Sequence, residues 1–556
     1  MKKIFLALLA LVVAHGLTAQ TDTFRTMEDV NQVTDLTLDS LEKARTARPA
    51  AGSSRIRQNP VLFLVGNSTM RTGTLGNGNN GQWGWGYYAD QYFDTEQITV
   101  ENQALGGTSS RTFYRQLWPE VKKGIRPGDY VIIELGHNDN GPFDSGRARA
   151  SIRGISPTDS LQVTIKETGR RETVYSYGEY LRRFIRETRA LGAHPILMSL
   201  TPRNAYEESD GSLPRRVTRV DKTFGLWARQ VAEEMNCAFV DLNEISARKY
   251  ERMSEWKFNY HFYLDHIHTS AFGAQLNARS AADGLLACDH PEVEALKTMM
   301  KTDRPTTGIR RKDGQPVVFI TGDSTVKNTD RDEDGQWGWG SLASEIFDTD
   351  RVTLMNAAMA GRSCRSYLRE GRWDRVIEDV RPGDFVLIQF GHNDAGNELD
   401  RGKARNDIAG TADSSHVYHV RPDNPSADPA SLARYETVYT FGWYLRKMID
   451  DVREKGATPI LVSLTPRNEW TSGKIERRND SFGRWYRDVV EQTGVAFIDL
   501  HNITADALDQ LGQTETQSYY KGDHTHTSKQ GARLNAQSIA KGLHQINSPL
   551  AQYLKN

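Results

Sequence analysis

The chain has 556 residues, with 70 Lys and Arg against 71 Asp and Glu, a formal net charge of −1, and 38% hydrophobic residues. Balanced charge excludes a broadly basic nucleic-acid coat, which would need a large counterion-release term. The composition also excludes a membrane channel and a collagen, and 3 Cys in the whole chain exclude a disulfide-stapled miniprotein.

Lys2 and Lys3 precede an apolar run from Ile4 to Val13, and small and polar residues follow to Ala19 and Gln20. A basic start, a short apolar core and a small-residue cleavage site are the pattern of a secretory signal. The run is far shorter than the roughly 20 residues that span a bilayer, so no membrane span is expected. Residues 1–19 are therefore expected to be a signal peptide, and the protein to be exported to the periplasm or beyond. Without Lys2 and Lys3 the 70 basic residues become 68 against 71 acidic ones, a charge of −3. Cys237, Cys288 and Cys364 read as small, mainly buried residues, since Cys237 adjoins an apolar strand where the second half of the chain has Val495. Residues 20–58 are polar and read as a partly helical lead-in.

From there the chain alternates short apolar runs with helical stretches. The runs are 61–66, 98–104, 130–136, 195–201 and 238–242, then 317–322, 352–358, 385–391, 459–465 and 496–500. They are continuous rather than alternating, as strands buried on both faces of a parallel sheet are. Tyr177, Tyr180, Leu181, Phe184, Ile185, Thr188 and Leu191 keep helical spacing, and Gly192 stops that helix. Phe441, Tyr444, Leu445, Met448, Ile449 and Val452 repeat it, with Gly456 as the stop. Strand–helix alternation of this kind predicts right-handed βαβ units in a three-layer α/β/α sandwich.

The halves repeat each other. Gly66-Asn67-Ser68-Thr69 returns as Gly322-Asp323-Ser324-Thr325, and Gln82-Trp83-Gly84-Trp85-Gly86 as Gln336-Trp337-Gly338-Trp339-Gly340. Gly136-His137-Asn138-Asp139 returns as Gly391-His392-Asn393-Asp394, Thr201-Pro202-Arg203-Asn204 as Thr465-Pro466-Arg467-Asn468, and Asp265-His266-Ile267-His268 as Asp523-His524-Thr525-His526. The offset stays near 256 residues, far beyond the 20–50 of a solenoid unit. Two whole domains are expected, at 59–298 and 316–556, joined by a linker at 299–315. The stretches 140–173 and 395–437 follow the third strand of each copy and read as long functional or mobile loops at the carboxyl edge of the sheet.

Ser68 and Ser324 fall just past a first strand, where a starting helix would aim backbone N–H groups at a developing oxyanion. A nucleophilic serine needs a base, and the base an orienting acid. Asp265 with His268, and Asp523 with His526, supply both, because the three-residue spacing lets the carboxylate reach Nδ1 and leaves Nε2 for the serine. Backbone N–H groups of Gly107 and Gly361 and side chains of Asn138 and Asn393 are the candidate oxyanion donors. Taken singly, Gly-Asp-Ser is an ordinary turn and Gly-His-Asn-Asp an ordinary strand end. One carboxylate and two histidines without further ligands make a poor metal site, so no metal is expected. The joint pattern is specific, because each piece follows a different parallel strand and all converge on one sheet edge.

These blocks resemble the SGNH, or GDSL-type, esterase/lipase superfamily, and within it the rhamnogalacturonan acetylesterases, over roughly residues 60–290 and 316–545. The resemblance implies a flavodoxin-like five-stranded sheet in each half. It implies a Ser-His-Asp esterase that removes acetyl groups from pectic polysaccharide with no cofactor. The nucleophiles would be Ser68 and Ser324, the bases His268 and His526, and the orienting acids Asp265 and Asp523. The oxyanion donors would be the serine N–H with Gly107 and Asn138, or with Gly361 and Asn393. The family pattern is Gly-Asp-Ser, kept at Asp323 and lost at Asn67, which makes the second domain the safer catalytic assignment. An alternative follows from that loss, a first domain reduced to a carbohydrate-binding module. A further alternative is an esterase of another acylated glycan. Trp83 and Trp337 are candidates for stacking on sugar rings, and Arg203 and Arg467 for pairing with galacturonate carboxylates.

Overall fold

A computed structural model describes residues 48–72, 76, 78, 80–207, 215–328, 335–394, 404–420 and 434–555. The expected signal peptide and most of the lead-in lie outside these residues. The chain divides into two compact units between Thr302 and Asp303. Among the described residues no helix is long and apolar enough to cross a membrane.

In the first unit the strands are β1 (Val61–Gly66), β2 (Thr99–Asn102), β3 (Tyr130–Glu134), β4 (His194–Met198) and β5 (Ala238–Val240). They form one five-stranded sheet in the order β2-β1-β3-β4-β5, every neighbour parallel. The second unit repeats it with β6 (Val317–Gly322), β7 (Thr353–Asn356), β8 (Phe385–Gln389), β9 (Thr458–Val462) and β10 (Ala496–Ile498), in the order β7-β6-β8-β9-β10. These are two tandem flavodoxin-like α/β domains. The unbroken burial of β1 has a simple cause. Leu62 and Leu64 enter the core on one face of the sheet, while Val61, Phe63 and Val65 enter the core on the other.

Helices close both faces. Helix α1 (Tyr177–Ala190) is capped by the Ser176 side chain, which accepts the Glu179 N–H, and it places Leu181, Phe184 and Ile185 in the core behind Val61 and Phe63. Gly192, at φ +75°, takes the left-handed turn that ends it. Helix α2 (Ala271–Ala287) covers the opposite face with Ala274, Ala278, Ala281 and Leu285, small residues that let it lie close to the sheet.

Several expectations need correction. Pairing in the first sheet stops at Glu134, Met198 and Val240, short of the apolar runs, and the residues beyond turn off the sheet edge. Residues 48–58 hold no helix. Arg55 instead donates a two-pronged pair of bonds, 2.8 and 2.6 Å, to Asp129, and Glu101 accepts from the backbone N–H groups of Gly52 and Ser54. Arg311 does the same to Asp384 at 3.0 and 2.6 Å. The repeat therefore begins before the first strand, and the expected linker is shared out: Met300 joins the first core and Arg311 serves the second unit. Of the two long loops, the first contains an antiparallel ribbon, Ser160–Thr164 with Arg171–Tyr175. The second contains the equivalent ribbon, Ser415–Val420 with Arg434–Tyr439, and its residues 395–403 and 421–433 lie outside those described. Cys237, Cys288 and Cys364 are all free thiols, the first and last of them buried.

Candidate active sites

Both serines sit at the carboxyl end of their first strand. In the second copy Ser324 opens a single helical turn, Ser324–Lys327, with Asp323 as its N-cap. In the first copy the same i to i+4 bond, Arg71 N–H to Asn67 O at 2.9 Å, forms within a bend. The expected helix is thus one turn long, too short for a substantial dipole.

Ser68 Oγ lies 2.9 Å from His268 Nε2, and His268 Nδ1 lies 2.7 Å from Asp265 Oδ2. In the second copy Ser324 Oγ to His526 Nε2 is 2.8 Å and His526 Nδ1 to Asp523 Oδ2 is 2.7 Å. The other carboxylate oxygen of each acid accepts two backbone N–H groups of its own loop, Ile267 and His268 in one copy and Thr525 and His526 in the other. Burial pushes Asp523 upward, but the bonds from His526 and the two backbone N–H groups outweigh it and bring the carboxyl down to about 2. Asp265 is held below its ordinary value by the same balance.

The Gln-Trp-Gly-Trp-Gly segment explains how two distant stretches meet. Trp83 N–H donates to Thr269 O at 2.8 Å and Trp85 N–H to Thr69 O at 2.9 Å, so the segment lies between the serine turn and the histidine loop. Gln82 Nε2 donates to Tyr263 O at 3.0 Å and reaches Asp265 Oδ2 at 3.4 Å. Trp83 and Trp337 are each only 5% exposed. Trp83 packs edge-on to Tyr87, and the Lys529 ammonium lies over the Trp337 ring. This corrects the sugar-stacking expectation: their ring faces are spent on packing and their backbones clip the site together.

Gly107 and Gly361, at φ +83° and +76°, are left-handed turns after the second strand of each copy. Asn138 Nδ2 donates to Thr108 O at 2.9 Å and Asn393 Nδ2 to Arg362 O at 3.2 Å, which ties each carboxamide to the turn that holds the glycine. Arg149 Nη1 donates to Gly107 O at 3.3 Å and Arg405 Nη1 to Gly361 O at 3.4 Å. The alanine before each arginine has a positive φ, 42° at Ala148 and 44° at Ala404, so the same unusual turn presents both arginines. Arg203 and Arg467 are half-buried beside His137 and His392. Burial, and then Arg203, push His137 down to about 3, so it is a neutral ring, with Nε2 3.2 Å from Thr201 Oγ1.

Residue-by-residue reasoning missed the group under each serine turn. Thr69 Oγ1 lies 2.9 Å from Asn67 Oδ1 and 3.1 Å from Glu134 Oε1. Thr325 Oγ1 lies 2.8 Å from Asp323 Oδ1 and accepts from Gln389 Nε2 at 2.9 Å. Trp85 Nε1 donates to Glu134 and Trp339 Nε1 to Gln389. The signal was present in the repeat, where Glu134 falls opposite Gln389, but nothing linear places those residues against the threonine.

A family model described as the GDSL-like lipase/acylhydrolase family matches residues 64–276 and again 320–534. A rhamnogalacturonan acetylesterase of Emericella nidulans is 32% identical over 227 residues, which are 41% of this chain and 84% of that protein. The rhamnogalacturonan acetylesterase RhgT of Bacillus subtilis is 29% identical over 252 residues, 43% of this chain and 93% of that protein. Among solved structures, the acetylxylan esterase Axe2 of Geobacillus stearothermophilus is similar at a TM-score of 0.29 and 20% identity, over 42% of this chain and 94% of that one.

Proposed function

Since the chain belongs to the GDSL-like lipase/acylhydrolase family and is a carboxylic ester hydrolase, we propose that both of its copies are acetylesterases acting on acetylated pectic polysaccharide. The observation that carries the reading is the pair of Ser–His–Asp relays, Ser68–His268–Asp265 and Ser324–His526–Asp523, each closed by two hydrogen bonds below 3 Å.

In each copy the serine Oγ attacks the acetyl carbonyl carbon while the imidazole Nε2 takes its proton. The aspartate holds Nδ1–H and balances the imidazolium that forms. Negative charge on the tetrahedral oxygen is met by the serine N–H, the glycine N–H of Gly107 or Gly361, and the carboxamide of Asn138 or Asn393. Collapse breaks the bond to the sugar oxygen, which leaves with the imidazole's proton. Water then cleaves the acetyl-serine by the same relay, releasing acetate.

The pectic substrate is supported by the two rhamnogalacturonan acetylesterases above and by Arg149 and Arg405, set beside the oxyanion glycines. A guanidinium there suits a galacturonate carboxylate, which it can pair with more strongly than with the hydroxyls of a neutral glycan. The basic, apolar and small-residue order of residues 1–19 supports export, which brings the enzyme to a polymer too large to be imported.

The test is acetate release from acetylated rhamnogalacturonan by the wild type, Ser68→Ala, Ser324→Ala and the double variant. Each single variant should keep part of the activity, and the double should fall by roughly 10³-fold or more. Undiminished release by the double variant refutes the reading. Silence of Ser324→Ala, with retained binding of the oligosaccharide, would make the first domain a binding module.

A further inference from the structure

Under each serine turn, four side chains of the two copies form one arrangement written in opposite order. In the second copy the carboxyl is on the turn itself, at Asp323, and the amide is across the threonine hydroxyl, at Gln389. In the first copy the amide is on the turn, at Asn67, and the carboxyl is across the hydroxyl, at Glu134, with Oε1 and Oε2 at 3.1 and 3.2 Å from Thr69 Oγ1. Asn67, Glu134, Asp323 and Gln389 are all 0% exposed, so bulk solvent does not screen these groups.

Each site thus holds one buried carboxyl and one carboxamide flanking the threonine that follows the nucleophile. Neither of the other two combinations is used. Two carboxylates on one hydroxyl would repel in a dry site, and two amides would leave no negative charge beneath the imidazolium that catalysis creates. The substitution at Asn67, which by itself suggests a weakened first domain, is matched by an opposite one at Glu134.

We propose that Glu134 is the positioning residue of the first site, supplying through Thr69 the buried carboxyl that Asp323 supplies to the second. It fixes the turn that carries Ser68 by holding the Thr69 hydroxyl, and sets an ionisable carboxyl beneath that turn. The first domain is then a fully equipped catalytic site and not a decayed copy. This rests on the Ser–His–Asp reading above and extends it.

Reaction with a fluorophosphonate tests it without reference to any sugar. The serine Oγ forms the P–O bond, fluoride leaves and the imidazole takes the proton, so the rate reports activation of the serine. Labelling of the Ser68 and Ser324 peptides can be followed separately by mass spectrometry in one full-length chain. E134Q keeps the shape and the bonds to Thr69 and Trp85, as Gln389 does in the second copy, and removes the charge together with the long 3.3 Å bond accepted from the Thr201 N–H. It should slow Ser68 labelling about tenfold. The double variant N67D/E134Q, which recreates the order of the second copy, should restore the rate to within about threefold. In the second site D323N should slow Ser324, and D323N/Q389E should restore it.

A merely structural role predicts no rescue by exchange. Should E134Q misfold the first domain, the Asp323 and Gln389 pair decides alone: no rescue by D323N/Q389E overturns the proposal. An unchanged Ser68 rate in E134Q, or no gain in N67D/E134Q over E134Q, also overturns it while leaving the esterase reading intact. Absence of labelling at both wild-type serines instead refutes that reading, and the proposal with it.

Discussion

Trp83 and Thr269 exchange two hydrogen bonds: the Trp83 N–H donates to the Thr269 carbonyl at 2.8 Å, and the Thr269 hydroxyl donates to the Trp83 carbonyl at 2.8 Å. Trp337 and Thr527 repeat the exchange at 2.8 and 2.7 Å. Each histidine is thereby held one residue from a fixed bridge, and in the first copy Trp85, two residues on from Trp83, donates to Thr69 O in the turn that bears the serine. The relay is positioned by backbone, with little freedom left to either loop.

The approach is so close that only glycine fits between. A Cβ at Gly84 would fall inside the backbone of Met70, and one at Gly338 inside that of Val326. Gly84→Ala should therefore destabilise the first domain by about 3 kcal/mol and displace Thr69 from Trp85. Calorimetry of the full chain should show one transition lowered and the other unmoved. Acetate release in a Ser324→Ala background should fall with it.

Asn67→Asp by itself should improve little. The family pattern alone would suggest a gain, but Glu134 already occupies the other side of Thr69. Burial raises the Glu134 carboxyl to about 7 against the bonds from Trp85, Thr201 and Thr69 that lower it. A second carboxyl beside it would share one proton at neutral pH, so the pair would carry one negative charge and not two. The expected change in Ser68 labelling is less than about threefold, and a tenfold gain would show that the two groups ionise independently.

The second domain should lose stability more steeply with rising pH than the first. Asp139 accepts from the hydroxyls of Ser110 and Ser151, whereas the equivalent Asp394 faces Cys364 and Asp407, with their ligand atoms within 4.8 Å of one another. Burial raises Asp139 and Asp394 alike to about 6, so the additional group is Asp407, which burial and then Asp394 raise well above its ordinary value. The folded state therefore keeps a proton that the unfolded chain has lost above about pH 4. The stability this proton brings is complete below that pH and falls by about 1.4 kcal/mol per pH unit up to the folded titration. Asp407→Ser, which installs the hydroxyl found in the first copy, should flatten the fall of the second transition above about pH 4. An unchanged slope would place the titration elsewhere.

The amino-acid sequence by itself determined the duplication, the sandwich class and the order of strands along the chain. It also singled out Ser68, His268 and Asp265, and Ser324, His526 and Asp523, whose side chains the structure brings into hydrogen-bond contact. Those features are local or periodic: a run buried on both faces reads as continuous apolar residues, and an Asp-x-x-His pair carries its geometry in its spacing. Only the tertiary structure decided what Trp83, Arg55 and Glu134 do. Trp83 looks like a sugar platform until its ring is found in the core, and Arg55 reads as part of a polar lead-in until it meets Asp129, 74 positions away. Glu134 ends a strand, and its partner Thr69 begins a turn 65 positions earlier. The sequence shows a lost acid at Asn67 and an extra one at Glu134 as separate facts. Their compensation is a property of one hydroxyl lying between them, and that distance exists only after β1 and β3 have paired in parallel register.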